Sequence, residues 1–129
     1  MILTRRRAAQ TLGVIRLVNG LAALLAPKLM ARAMRVDPDE HPQMLYFMKL
    51  FGIRTVLLGL HLLSAEGKDL QRAMGTGILI HASDTTAAAV ALFKGQLPRR
   101  AAMTATLIST INTALAVYGS GLVSQGLAD

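Results

Sequence analysis

A chain of 129 residues that is 53% hydrophobic and only 16% charged is too apolar for an ordinary soluble domain, so we expect one membrane-embedded domain over residues 1–129. Aromatic residues make up only 4% of the chain, and apolar content of this aliphatic kind favours helices over strands. The absence of cysteine excludes disulfides, thiolate nucleophiles and cysteine-based metal sites.

The formal net charge of +7 points to a membrane surface rather than to nucleic acid. The basic residues stand singly or in short clusters at the ends of apolar runs, and no aromatic platform accompanies them. Lysine and arginine in such places anchor helices and contact anionic headgroups. The lipid bilayer is therefore the first expected partner, and we expect no nucleic-acid binding.

Four apolar segments follow one another along the chain, at about residues 12–30, 44–63, 73–93 and 101–123. Each is long enough, at about 1.5 Å per residue, to cross a hydrocarbon layer about 30 Å thick. Short connections rich in Pro, Gly and charge separate them, and short connections make sequential helices antiparallel neighbours. The sequence thus predicts an all-α fold, an integral membrane antiparallel four-helix bundle.

The first segment has the basic start of a signal peptide, but Arg16 and Asn19 interrupt its apolar run. We interpret it as a retained first helix. The positive-inside rule is nearly balanced over the connections, and the triple arginine at residues 5–7 favours a cytoplasmic N-terminus. We expect a multi-pass protein of the inner (plasma) membrane.

Polar residues recur at helical spacing on one face of each segment, and these faces should turn inward. Arg54 and Asp84 lie near the centres of consecutive predicted spans. A charge at that depth costs about 2.5–3.5 kcal/mol on insertion scales, so each is best tolerated beside the other. We therefore predict a buried ion pair between Arg54 and Asp84, as structural glue or as part of a binding site.

Other polar residues in the spans define a candidate pocket. Arg16, His61 and His81 should fall in the half of the membrane where the chain begins, beside the predicted ion pair. The complete candidate pocket comprises Arg16, Asn19, His61, His81 and Asn112.

Catalytic and metal-binding patterns are weak in this sequence. His61, His81 and Asp84 include the residue types of a two-histidine, one-carboxylate site, but nearby arginines repel a cation and the histidines differ in depth. Haem ligation by the two histidines is also disfavoured, because the histidines differ in depth. Ser83 and the hydroxyl groups of the fourth span are typical backbone-bonding groups of membrane helices. We assign no catalytic residue, no metal and no cofactor.

The segments "RLVNGLAALLAPKLMARAMRVDP", "LFGIRTVLLGLHLL", "HASDTTAAAVAL" and "KGQLPRR" together resemble small four-helix actinobacterial membrane proteins of the DoxX-like type, whose function is unknown. The resemblance covers about residues 16–100, with the Gly-x-Arg of residues 52–54 and Asp84 as landmarks. Such proteins often carry Asp-x-x-Asp in the third helix, whereas Ala87 stands at the second position here. The resemblance implies a fold and no reaction.

Two hypotheses of function remain open. The favoured one is a non-catalytic accessory or scaffolding subunit of a larger envelope complex for lipid transport, export or respiration, or a homo-oligomer. The alternative is a small lipid- or quinone-binding membrane enzyme, in which Arg16 and Arg54 hold the head of the ligand while His81 and Asp84 exchange protons. A water-soluble helical bundle is a third, less favoured interpretation.

Overall fold

The computed structural model describes residues 4–121, which form five α-helices and no strand. The helices are α1 (Arg5–Leu25), α2 (Pro27–Ala33), α3 (Gln43–Ser64), α4 (Gly67–Phe93) and α5 (Arg99–Ser120). Four of them, α1, α3, α4 and α5, are long and apolar enough to cross a membrane. The all-α prediction is confirmed, and so is the expectation of four apolar helices of membrane-spanning length.

The first helix begins and ends earlier than the predicted span of residues 12–30. Thr4 caps α1, because its hydroxyl accepts a hydrogen bond of 3.2 Å from the backbone N–H of Arg7. At the other end, Pro27 has no N–H to donate to α1 and instead opens the short helix α2. This shift places Arg16 at the middle of the helix, not in its first half.

The connection between α3 and α4 is shorter than the sequence suggested. Only Ala65 and Glu66 separate the two helices, and α4 starts at Gly67, ahead of the predicted span at 73–93. The added first turn carries charges that pair along the helix, since Asp69 Oδ1 lies 3.9 Å from Arg72 Nη1, with both side chains exposed. The predicted turn between α4 and α5 is confirmed, with Gly95 at a φ of 66°.

The helices pack as two pairs. α1 contacts α3 most extensively, α4 contacts α5 in the same way, and the two pairs meet mainly through α1 and α5. α3 and α4 hardly contact each other, although they are consecutive in the chain. The side of the molecule between α3 and the α4–α5 pair is therefore open, and it contains a cavity beside Arg16 and a larger groove toward the other end of α3.

Candidate functional site

Four glycines hold α1 and α3 at backbone distance. A Cβ added at Gly20 would lie 2.7 Å from the backbone nitrogen of Val56 and 2.9 Å from the carbonyl oxygen of Gly52. One added at Gly59 would lie 2.9 Å from the carbonyl oxygen of Gly13. Gly13 of α1 faces Gly59 of α3, and Gly20 faces Gly52. The two helices therefore run in opposite directions. Small residues that allow such approach are typical of helix contacts in membranes.

Arg16 lies between the two glycines of α1, with its Cβ beside this tight contact and its guanidinium against His81 of α4. Its side chain is 6% exposed, because α3 and α4 cover it. The neighbouring backbone of α3 is so close that Arg16 Cβ would be 3.3 Å from a Cβ at Gly59. The close helix pair therefore fixes the stem of Arg16 and directs its guanidinium toward α4.

The guanidinium of Arg16 contacts the imidazole ring of His81. Arg16 Nη2 lies 2.6 Å from Nδ1 and 3.1 Å from Nε2 of His81, which is 1% exposed. An arginine can only donate, so the ring nitrogen that accepts carries no proton. We assign the hydrogen bond to the closer nitrogen, Nδ1, which leaves the proton of the neutral ring on Nε2. The buried cation of α1 is thus held by a neutral histidine of α4.

Asp84, one turn further along α4, supplies the counter-charge. Its Oδ2 lies 3.8 Å from Arg16 Nη2, beyond hydrogen-bond distance, and its side chain is 43% exposed. Arg16 therefore has one close neutral partner and one more distant anionic partner on the same helix. The interaction with Asp84 is the weaker of the two because it is longer and partly screened by its surroundings.

The predicted ion pair between Arg54 and Asp84 is not formed. Among residues 4–121 the carboxylate of Asp84 pairs with Arg16, while Arg54 is exposed and forms no ion pair or side-chain hydrogen bond. The physical reason is the packing of the helices, since α3, which carries Arg54, hardly contacts α4. Arg54 still lies close enough to Arg16 for the two positive charges to repel. The predicted partners therefore lie on helices that do not form a close interface.

Three residues of the candidate pocket do converge. Arg16, His61 and His81 line one cavity of about 270 Å³ between α3 and α4, with Asp69 and Arg72 also in its wall. The other N–H groups of the Arg16 guanidinium have no hydrogen-bond partner within the described residues. An arginine with free donors beside a cavity can hold a carbonyl or anionic oxygen of a ligand.

The remaining two residues lie elsewhere. Asn19, one turn beyond Arg16, lines a separate groove toward the C-terminal end of α1. Asn112 of α5 is 6% exposed, and its Oδ1 is a buried atom with no hydrogen-bond partner within residues 4–121. Neither residue is in the wall of the cavity that contains Arg16. The helical periodicity of the sequence placed Asn19 and Asn112 on inward faces. It could not show whether they lie at the same height as the Arg16 cavity.

The hydroxyl groups near the site bond to the backbone, as the sequence suggested. Ser83 Oγ donates to the carbonyl oxygen of Leu79 at 2.7 Å, and Thr85 Oγ1 donates to that of His81 at 2.8 Å. Thr85 also lies 3.5 Å from Thr113 of α5, oxygen to oxygen. Within the described part of the chain, no three side chains of the His, Asp and Glu types are grouped as metal ligands.

The four glycines that set the position of Arg16 were not predicted from the sequence. Their signal is present, since Gly13 and Gly20 in one predicted span repeat the seven-residue spacing of Gly52 and Gly59 in the next. A repeat of seven keeps residues on one helix face over about two turns.

Comparison with protein-family models, curated proteins and solved structures found no match to this chain.

Proposed function

We propose that this chain is a non-catalytic multi-pass membrane protein that acts as an accessory subunit of a larger assembly in the cell envelope. In this proposal α1, α3, α4 and α5 cross the plasma membrane as an antiparallel bundle. One observation carries the proposal: two arginines near the centres of membrane-spanning helices, Arg16 and Arg54, have a single carboxylate, Asp84, within reach of one of them.

Charge balance requires a further anion at this depth. Arg54 has about 15 Å of helix on either side in α3, more than its side chain can bridge to reach the headgroups. With the His81 ring neutral, Arg16 and Arg54 together exceed Asp84 by one positive charge. An acidic side chain from a different membrane protein would neutralise Arg54, whereas a second copy of this chain would add two more arginines with its one Asp84 and leave the excess per chain unchanged. We therefore expect the open side of α3 to face that partner.

The test is purification of the tagged full chain in mild detergent, with identification of companion proteins by mass spectrometry and of copy number by light scattering. We expect wild type to retain a companion protein, and Arg54→Leu to lose it. Lys49→Leu is the matched control, because Lys49 is also an exposed cation of α3 but lies near the helix end. A wild type that retains no companion protein, or a complex that survives Arg54→Leu, contradicts the proposal.

A second candidate function is binding of a quinone or lipid head in the cavity beside Arg16. The convergence of Arg16, His61 and His81 on that cavity of about 270 Å³ supports it. An anionic head of the ligand would then supply the missing counter-charge, and a carbonyl oxygen would accept a hydrogen bond from the Arg16 guanidinium. The enzyme hypothesis further assigns proton exchange to His81 and Asp84, of which His81 is in the cavity wall.

A substitution that fills the cavity distinguishes ligand binding from the role of an accessory subunit. Thr76 is exposed and lines the cavity, so Thr76→Phe should occupy the space without disturbing the core. Thr86→Phe, at an exposed position of the same helix that is not in the wall, is the control. We expect mass spectrometry to find a co-purified quinone or lipid in wild type and the control only. Equal amounts in all three proteins would exclude this cavity as the binding site.

A further inference from the structure

A second indentation lies at the other end of the open side, where α1 ends and α3 and α5 begin. It is a groove of about 1080 Å³ bounded by α1, α2, α3 and α5. The groove exists because α3 packs on α1 and not closely on α5, so the first halves of α3 and α5 remain apart. Its volume is at the upper end of the range for small-molecule sites.

The wall of the groove is apolar and flexible. Four of the seven methionines of the chain line it, together with two phenylalanines and an isoleucine of α5. Methionine side chains adapt to irregular apolar shapes, so this wall suits an alkyl chain better than a rigid ring system. The principal apolar residues of the wall are Met30, Met44, Phe47, Met48, Phe51 and Ile108.

The rim of the groove is basic. Arg32 in α2, Arg35 just after it and Arg100 in the first turn of α5 are the charged residues of its wall, and no acidic residue joins them. All three are exposed, and within residues 4–121 their guanidinium groups form no ion pair or side-chain hydrogen bond. Asp37 and Asp39 lie in the adjoining loop without pairing to them. Three free guanidinium groups therefore surround the mouth of an apolar groove.

The dimensions of the groove match one leaflet of a bilayer. From Arg100 at the rim to Ser109 at the deep end, α5 rises by about 14 Å at 1.5 Å per residue. Half of a hydrocarbon core about 30 Å thick is about 15 Å. An occupant with an anionic head at the arginines and a tail along Ile108 would thus span the distance from the interface to the midplane.

We propose that this groove binds an anionic phospholipid of the bilayer, with the phosphate held by Arg32, Arg35 and Arg100 and one acyl chain against the methionine-rich wall. Arginine suits a phosphate because its planar guanidinium donates two parallel hydrogen bonds. A free phosphate would leave the apolar wall unused, and a zwitterionic lipid would present a cation to the same arginines. The site is separate from Arg16 and Arg54; it rests on the proposed membrane crossing but not on the proposed role as an accessory subunit.

The absence of tryptophan from the sequence allows a direct test. Phe51→Trp places a unique fluorophore in the groove wall, and Phe47→Trp provides a second one if the first variant does not fold. The purified full chain is reconstituted in phosphatidylcholine vesicles that contain brominated phosphatidylglycerol or brominated phosphatidylcholine as quencher. We expect phosphatidylglycerol to quench groove tryptophan at a lower mole fraction, by at least about fivefold. A tryptophan at Leu79, which is exposed on α4 outside the groove, should respond equally to both lipids.

Charge variants show whether the three rim arginines produce the preference. One basic residue near the membrane surface contributes about 1 kcal/mol, which is about fivefold in affinity. We expect replacement of Arg32, Arg35 and Arg100 by Gln to abolish the preference. The matched control replaces Lys28, Lys94 and Arg99 by Gln, which removes the same charge near the same end without touching the groove.

Four outcomes would overturn the proposal. The first is equal quenching of groove tryptophan by the two brominated lipids. The second is an equal preference at Leu79→Trp, which would reflect general attraction of anionic lipid to the basic surface. The third is an equal loss in the control triple variant, which would assign the preference to net charge. A protein segment in the groove would exclude both lipids and give no quenching at Phe51→Trp, which contradicts the proposal as well.

Discussion

Arg16 and His81 join the two helix pairs of this protein through a hydrogen bond of 2.6 Å between Nη2 and Nδ1. Both residues are buried, and the glycine contact between α1 and α3 fixes the arginine from behind. The bond therefore acts as a polar link between α1 and α4, whose side chains also share the apolar core at Leu12 and Met74. A cation held by a neutral ring leaves its positive charge available to a nearby anion.

Removal of the acceptor should destabilise the fold. His81→Leu leaves the Arg16 guanidinium buried without its closest partner, and a hydrogen bond to a charged group contributes about 1.5–3 kcal/mol. We expect a loss of that size in the free energy of unfolding, measured by detergent-induced unfolding in mixed micelles. His81→Gln retains an acceptor and should lose less. Equal losses in the two variants would show that ring packing, not the hydrogen bond, matters at this position.

Double-mutant cycles should identify the partner of Asp84. Arg16 and Asp84 lie 3.8 Å apart, so we expect the Arg16→Leu and Asp84→Asn changes to be coupled by roughly 0.5–1 kcal/mol, reduced by the partial exposure of the carboxylate. Arg54→Leu and Asp84→Asn should show less coupling, because these residues form no ion pair. A larger coupling for Arg54 than for Arg16 would restore the pairing expected from the sequence.

The glycine contact between α1 and α3 should tolerate no added methyl group. A Cβ at Gly20 or Gly52 would lie 2.7 Å from the backbone nitrogen of the facing helix, which cannot move independently of that helix. Overpacking of this kind costs about 1–3 kcal/mol, so Gly20→Ala and Gly52→Ala should lower the thermal unfolding midpoint.

Gly75→Ala is the matched control for these variants. Gly75 lies within α4, and a Cβ there would meet no atom within 4 Å. Since glycine inside a helix is less stable than alanine by about 0.5–1 kcal/mol, this substitution should raise the unfolding midpoint slightly. A rise at all three positions would mean that α1 and α3 do not approach as closely as the glycines indicate.

Single cysteines can test the proposed four crossings, because the natural sequence contains none. Thr4→Cys and Glu66→Cys lie at the helix ends near the start of the chain, whereas Asp39→Cys and Gln96→Cys lie in the connections at the opposite ends. With an impermeant maleimide on intact cells, we expect labelling of the second pair only, since the N-terminus is proposed to be cytoplasmic. Labelling of one member from each pair would be incompatible with four crossings.

Hydropathy and turn residues were sufficient to predict the helical elements. The apolar runs, Gly95 and the polar loop at residues 37–42 are local features, and local features determine where a helix can form. The helix ends were less well predicted, because Thr4 and Pro27 moved α1 toward the N-terminus. That shift of a few residues changed the depth of Arg16 from the first half of the helix to its centre.

The partners of the polar residues were determined only by the tertiary structure. Depth along a helix follows from counting residues, so Arg54 and Asp84 could be placed at similar heights from the sequence. The packing determines which helices face each other. The glycines of α1 and α3 allow these two helices to approach closely, and α3 remains apart from α4. Asp84 therefore meets Arg16, because close backbone approach, and not order along the chain, decides which side chains can reach each other.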